Sequence, residues 1–330
     1  MAFVLVGMTI AGFSLGSGLE VGGGGITTWP ATPGQSTTRP VTPTPPRSPT
    51  PTPTPTPTAR ARPTATTFTN DGYQVPAPPA TPLRWLYPQS RQEAVAWTQS
   101  NVLYGHTIGQ PVRCPRDPIV TSTEIPRAQF EAGVNAFVDC LMGAWRVPMQ
   151  AAGYQLPRPA VAFFTSEAVS PCGNATRDEV SGMYCTANAT FYIPYGQRVY
   201  RNADGWATYV LEIVIAHEFA HHVQARTGLL GGMRWLDTNV GDPNLELSRR
   251  KELQAQCFAG LGLSATAYSM GMTAADRRSL QISESNRGDR PGQPRTHGTF
   301  ENSGRWFSAG FTSTAVSICN TYTAPASTVE

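Results

Sequence analysis

His217, Glu218 and His221 stand in the segment HEFAH, and their types and spacing suggest a chemistry. Two histidines four positions apart on a helix present both imidazoles on one face, about a turn apart and aimed at a common point. Such a pair suits Zn2+, which keeps a position for water when three protein ligands hold it and draws that water's pKa toward neutrality. A neighbouring carboxylate, here Glu218, can then take the proton, so the expected chemistry is hydrolysis by an activated water. With only five histidines in the chain, the arrangement rarely arises by chance. The bland alternative is a pair of core histidines with ordinary hydrogen bonds.

A third ligand must come from elsewhere in the chain. Glu252 is the preferred candidate, because it shares a narrow helical stripe with Ala255, Gln256, Ala259, Gly260 and Leu263, and small residues let a helix approach a neighbour closely. Glu246 and Asp242 are rivals whose place near the helix start gives them ordinary capping and dipole roles. Gln256 follows Glu252 by one turn on the same face, where its oxygen could accept the free N–H of a metal-bound histidine. His297, in THGTF, sits on a glycine-containing loop and reads equally as an oxyanion donor or as a histidine capping a turn. His222 reads as a supporting or surface residue, and His106 as a structural loop residue.

The elements that must position these groups are legible from periodicity. Phe130, Val134, Phe137, Val138, Leu141 and Trp145 recur at helical spacing, and Pro148 then marks the helix end. AVAFFTS (160–166) and ATFYIPYG (189–196) read as strands, the second a candidate edge for an extended substrate to join. A helix capped by Asp204 runs from about Trp206 to Arg226 and stops at Thr227-Gly228. It is apolar on more than one face, so it is expected inside the domain. Asp242-Pro243 opens a further helix to about Leu263.

The 330 residues hold one compact unit of about 240 residues by this reading. Residues 2–19 carry no charge, Glu20 being the first charged side chain, and the run has about the minimum length for a membrane anchor or signal-like segment. Residues 1–26 are assigned to that segment. Residues 27–83, with PTPTPTPTPT at 49–58, are a Pro/Thr-rich stalk, since proline removes donors and no core can form there. The folded domain is expected over 84–324. A net charge of +3 with scattered basic residues excludes a nucleic-acid surface; Lys251 as the sole lysine reads as coding bias. Six cysteines, all beyond the stalk and without a C-x-x-C pair, point to an oxidising compartment. Order along the chain favours the pairs Cys114 with Cys140, Cys172 with Cys185, and Cys257 with Cys319.

AHEFAHHVQ (216–224), ELQAQCFAG (252–260), CG at Cys172, YC at Tyr184, THGT (296–299) and RWF (305–307) resemble the neutral zinc metallopeptidase family of bacteria over most of residues 125–323. The resemblance implies an α+β, zincin-like fold whose buried HExxH helix packs on a second ligand-bearing helix and a small sheet. It implies His217, His221 and Glu252 as zinc ligands. It departs from the family pattern at Ala220, usually Gly, and at Gln256, usually Asp. The expected activity is hydrolysis of peptide bonds in a peptide or protein substrate outside the cytoplasm, with Glu218 as base and His297 assisting. The alternative is an inactive zinc-binding scaffold of the cell envelope, which Gln256 favours. By this reading, Gln256→Asp should tighten zinc binding or raise activity.

Overall fold

The computed structural model describes residues 67–330 apart from 82, 116, 120–124, 197–207, 243, 291 and 293. Its centre is α3 (Val210–Arg226), in which every residue from Val210 to Ala225 is buried. A helix apolar on all sides must be wrapped by other elements. Here α2 (Arg127–Ala151), α4 (Leu229–Val240), α5 (Glu246–Ala267) and strand β4 (Met183–Cys185) surround it. α1 (Arg91–Gln99) lies against α4, and α6 (Ala274–Glu284) and α7 (Phe300–Phe311) close the far side of α5. The fold is α+β.

The three-stranded sheet has the order β1 (Ala160–Phe164), β5 (Thr190–Pro194), β4. β1 and β5 run parallel with Ala160 opposite Thr190, and β4 is antiparallel with Met183 opposite Tyr192. A separate hairpin joins β2 (Glu167–Ser170) to β3 (Gly173–Thr176). Since β5 is paired on both sides, the segment ATFYIPYG offers no free edge to an added strand. That expectation is overturned.

Other elements depart from their sequence reading for identifiable reasons. α2 runs through Pro148 to Ala151. The carbonyl of Ala144, four residues back, would lose its helical partner there, but it accepts the N–H of Gly109 at 3.1 Å instead. α5 starts at Glu246, because Leu245 is left-handed (φ 56°); Asp242 caps from outside, its Oδ2 accepting the Leu247 N–H at 2.5 Å. α5 also continues to Ala267, since Ala265, Thr266 and Ala267 remain buried. α3 starts at Val210, with Thr208 and Tyr209 in a turn; Asp204 and Trp206 lie outside the described residues.

Packing extends beyond 84–324 at both ends. The Arg113 guanidinium lies 4.3 Å over the Phe68 ring and that of Arg146 4.7 Å over Tyr73. Arg249 Nε donates to the Val329 carbonyl at 2.9 Å. Disulfides join Cys114 to Cys140, Cys172 to Cys185 and Cys257 to Cys319, the pairs that chain order favours. Among the described residues no helix is long and apolar enough to cross a membrane; residues 2–19 lie outside them.

At Gly260 the small-residue stripe of α5 meets the backbone of α7. A Cβ on Gly310 would overlap the Cys257 carbonyl, and one on Gly260 the Phe307 carbonyl. Both obstacles are backbone, so neither helix can give way locally. Gly310→Ala should cost about 3 kcal/mol, the upper end of overpacking costs, read as a lower denaturant midpoint at unchanged slope. A midpoint equal to wild type would contradict this packing.

Candidate metal centre

α3 and α5 each present two polar groups one turn apart, and these groups meet. The rings of His217 and His221 stand 4.7 Å apart between centroids. Glu252 Oε2 lies 3.2 Å from His217 Nε2 and 3.1 Å from His221 Nε2. One ligand atom from each of the three residues falls within 4.8 Å of the others, and all three side chains are buried.

The hydrogen bonds behind these groups decide which atoms face inward. Gln256 gives its Nε2–H to the Glu284 carboxylate, so its Oε1 must be the atom 3.0 Å from His217 Nδ1. Gln224 Nε2 donates to the Lys251 carbonyl at 2.9 Å and to Gln254 Oε1 at 3.0 Å, so its Oε1 accepts from His221 Nδ1 at 2.8 Å. Each Nδ1 therefore carries a proton, and in the neutral ring each Nε2 turns a lone pair toward the Glu252 oxygen. With both rings neutral, two lone pairs and a carboxylate at this separation repel one another unless a cation lies among them. Two imidazoles and one carboxylate are a donor set suited to zinc with an open position.

Glu252 is held for this role by Lys251, whose Nζ is 2.6 Å from Oε1, leaving Oε2 toward the histidines. Burial alone would raise the Glu252 carboxyl, but Lys251, His221 and His297 together hold it well below the usual carboxylate range. Glu218 is the opposite case. Burial, with the charge of Glu252 adding, pushes its carboxyl up to about 7 against the pull of His217 and a Tyr184 backbone N–H. Among the described residues its Oε1 has no hydrogen-bond partner.

His297 reaches the same place from the loop before α7. Its Nε2 makes no hydrogen bond among the described residues and lies 3.9 Å from Glu252 Oε2. Thr296 Oγ1 at 2.8 Å and Asp289 Oδ1 at 3.5 Å flank Nδ1, while Asp289 Oδ2 accepts the backbone N–H groups of His297 and Gly298 at 2.7 and 2.8 Å. Burial disfavours its charged form, but Glu252 and Asp289 outweigh this and raise its pKa. The loop thus supplies both the turn and a side chain aimed inward.

The remaining candidates stand aside. His222 is buried between Tyr184 and β1's approach: its Nε2 donates to the Pro157 carbonyl at 2.8 Å and its Nδ1 accepts from Tyr184 Oη at 2.8 Å. Burial lowers its pKa to about 3, so it stays neutral. Glu246 pairs with Arg250 at 2.6 Å, and Asp242 is a cap. Sequence reasoning missed Lys251, Gln224, Gln254 and Glu284. Lys251 had a signal, being the sole lysine and adjacent to the preferred ligand; the others had none.

The helix pair, the small sheet and the buried His/His/Glu cluster make an α+β domain with a site that could hold a metal ion. Residues 115–322 match the family described as "Putative neutral zinc metallopeptidase", and the chain belongs to that family. It is 29% identical to the uncharacterized protein YpfJ of Escherichia coli K12 over 236 residues, covering 67% of this chain and 80% of that one. It is 25% identical to the uncharacterized protein Rv2575 of Mycobacterium tuberculosis H37Rv over 247 residues, covering 67% of this chain and 83% of that one. No solved structure matches the chain.

Proposed function

We propose that this domain is a zinc-dependent peptidase acting outside the cytoplasm on peptide or protein substrates. The observation that carries this reading is the convergence of two histidine Nε2 atoms and one carboxylate oxygen beside Glu218, whose Oε1 has no hydrogen-bond partner among the described residues. His217, His221 and Glu252 hold the metal. Bound there, zinc supplies Lewis-acid activation of a water molecule and of the scissile carbonyl.

Glu218 accepts the proton of the attacking water at Oε1 and passes it to the leaving amine nitrogen. A carboxylate beside the attacking water suits a role that must take and return a proton in one cycle. His297 donates from Nε2 to the carbonyl oxygen as it gains negative charge, with Asp289 behind it. The paired cysteines support an oxidising compartment, and the uncharged run at 2–19 with the Pro/Thr segment at 27–83 supports display from a membrane.

Purified protein incubated with a peptide library tests the reading. Cleavage abolished by a chelator and restored by zinc is the expected result. A folded, zinc-loaded protein that cleaves nothing would favour the scaffold reading instead.

A further inference from the structure

Glu284, the last residue of α6, is fully buried, 0% exposed. A carboxylate there gains nothing from its helix, since the C-terminal end of a helix dipole repels negative charge. Its partners lie outside the helix. One is Arg287, whose Nε is 2.7 Å from Oε1; the other is the Gln256 amide, which donates to Oε2. Gln256 in turn accepts the His217 Nδ1–H at 3.0 Å. An unbroken chain of hydrogen bonds therefore runs from His217 through Gln256 to Glu284.

We infer that Glu284 is the positioning residue for His217, supplying through the Gln256 amide the negative charge that a directly bonded carboxylate at 256 would supply. The inference rests on His217 being a metal ligand. Acceptors behind a metal-bound imidazole fix its ring and make it a stronger donor, and hydrogen bonds in series polarise one another. Burial raises the Glu284 carboxyl pKa overall, against the pull of Arg287, the Gln256 amide and His217 toward the charged form. The glutamine is then one half of a two-residue device and not a defect. On this relay Gln256→Asp alone should not improve the site, because an aspartate there would face the Glu284 carboxylate with no donor between them.

Zinc affinity by competition with a chromophoric chelator, and the visible absorption of the cobalt-loaded protein, test the relay in four variants. Glu284→Gln and Gln256→Leu should each weaken zinc about 10- to 100-fold, the usual loss for such a partner, and alter the cobalt bands. Gln256→Asp alone should not tighten zinc. Gln256→Asp with Glu284→Gln should regain most of the lost affinity and the wild-type bands, because the carboxylate then bonds His217 directly. Gln256→Leu keeps the Glu284–Arg287 pair, so it remains informative if Glu284→Gln does not fold. Wild-type affinity in Gln256→Leu, or no recovery in the double variant, overturns the relay while leaving the metal site standing. A wild-type protein that takes up no zinc overturns both.

Discussion

Glu218→Gln should lower peptide turnover about 100- to 10,000-fold, the span general-base catalysis supplies, with zinc content and fold unchanged. Glutamine has the same shape, and its oxygen can still accept the Tyr184 backbone N–H that the carboxylate accepts. What it lacks is a place for the water's proton. The substitution also removes a buried charge that its surroundings disfavour, so the melting temperature should not fall. Turnover, zinc stoichiometry and melting temperature on one preparation decide it. Loss of zinc would make Glu218 a ligand. His297→Phe should show the same pattern at smaller amplitude, about 100-fold in turnover, as for loss of one oxyanion donor; a loss of stability alone would leave His297 as a turn residue.

Glu252→Ala and His221→Ala should both abolish stoichiometric zinc, since each removes one of three convergent donors. They should differ in the metal-free protein. Glu252→Ala strands Lys251, itself only 6% exposed, without its counter-charge at 2.6 Å. Removing one partner of a buried pair costs about 3–5 kcal/mol. His221→Ala leaves that pair intact and loses mainly packing and the bond to Gln224. Metal-free Glu252→Ala should therefore unfold at clearly lower denaturant than metal-free His221→Ala. Equal midpoints would contradict the Lys251 pairing, and full zinc occupancy in Glu252→Ala would move the third ligand elsewhere.

What could be read in advance is what local periodicity encodes. Residues four apart on one helix share a face whatever the tertiary structure, so His217 with His221 and Glu252 with Gln256 were visible as pairs. The strands at 160–164 and 190–194 carried their own β-branched and aromatic signal. Non-local partners were invisible. Pro148 ends a helix by local rules, whereas α2 continues and the Gly109 N–H, arriving from a distant loop, takes up the Ala144 carbonyl. The Gly260 and Gly310 contact needs two helices 50 positions apart to be placed before it can be seen. Glu284 lies 28 residues from Gln256, on a helix with no motif. Lys251 was legible and misread, because composition counts it as one cation among 25, whereas its burial against Glu252 makes it part of the site.

Zinc K-edge X-ray absorption on the purified protein tests the metal centre most directly. The expected spectrum shows one zinc per chain, with nitrogen and oxygen scatterers only, at about 2.0–2.2 Å, and with the outer-shell pattern of two imidazoles. Absence of stoichiometric zinc, or a sulfur scatterer at about 2.3 Å, would contradict a centre built from His217, His221 and Glu252.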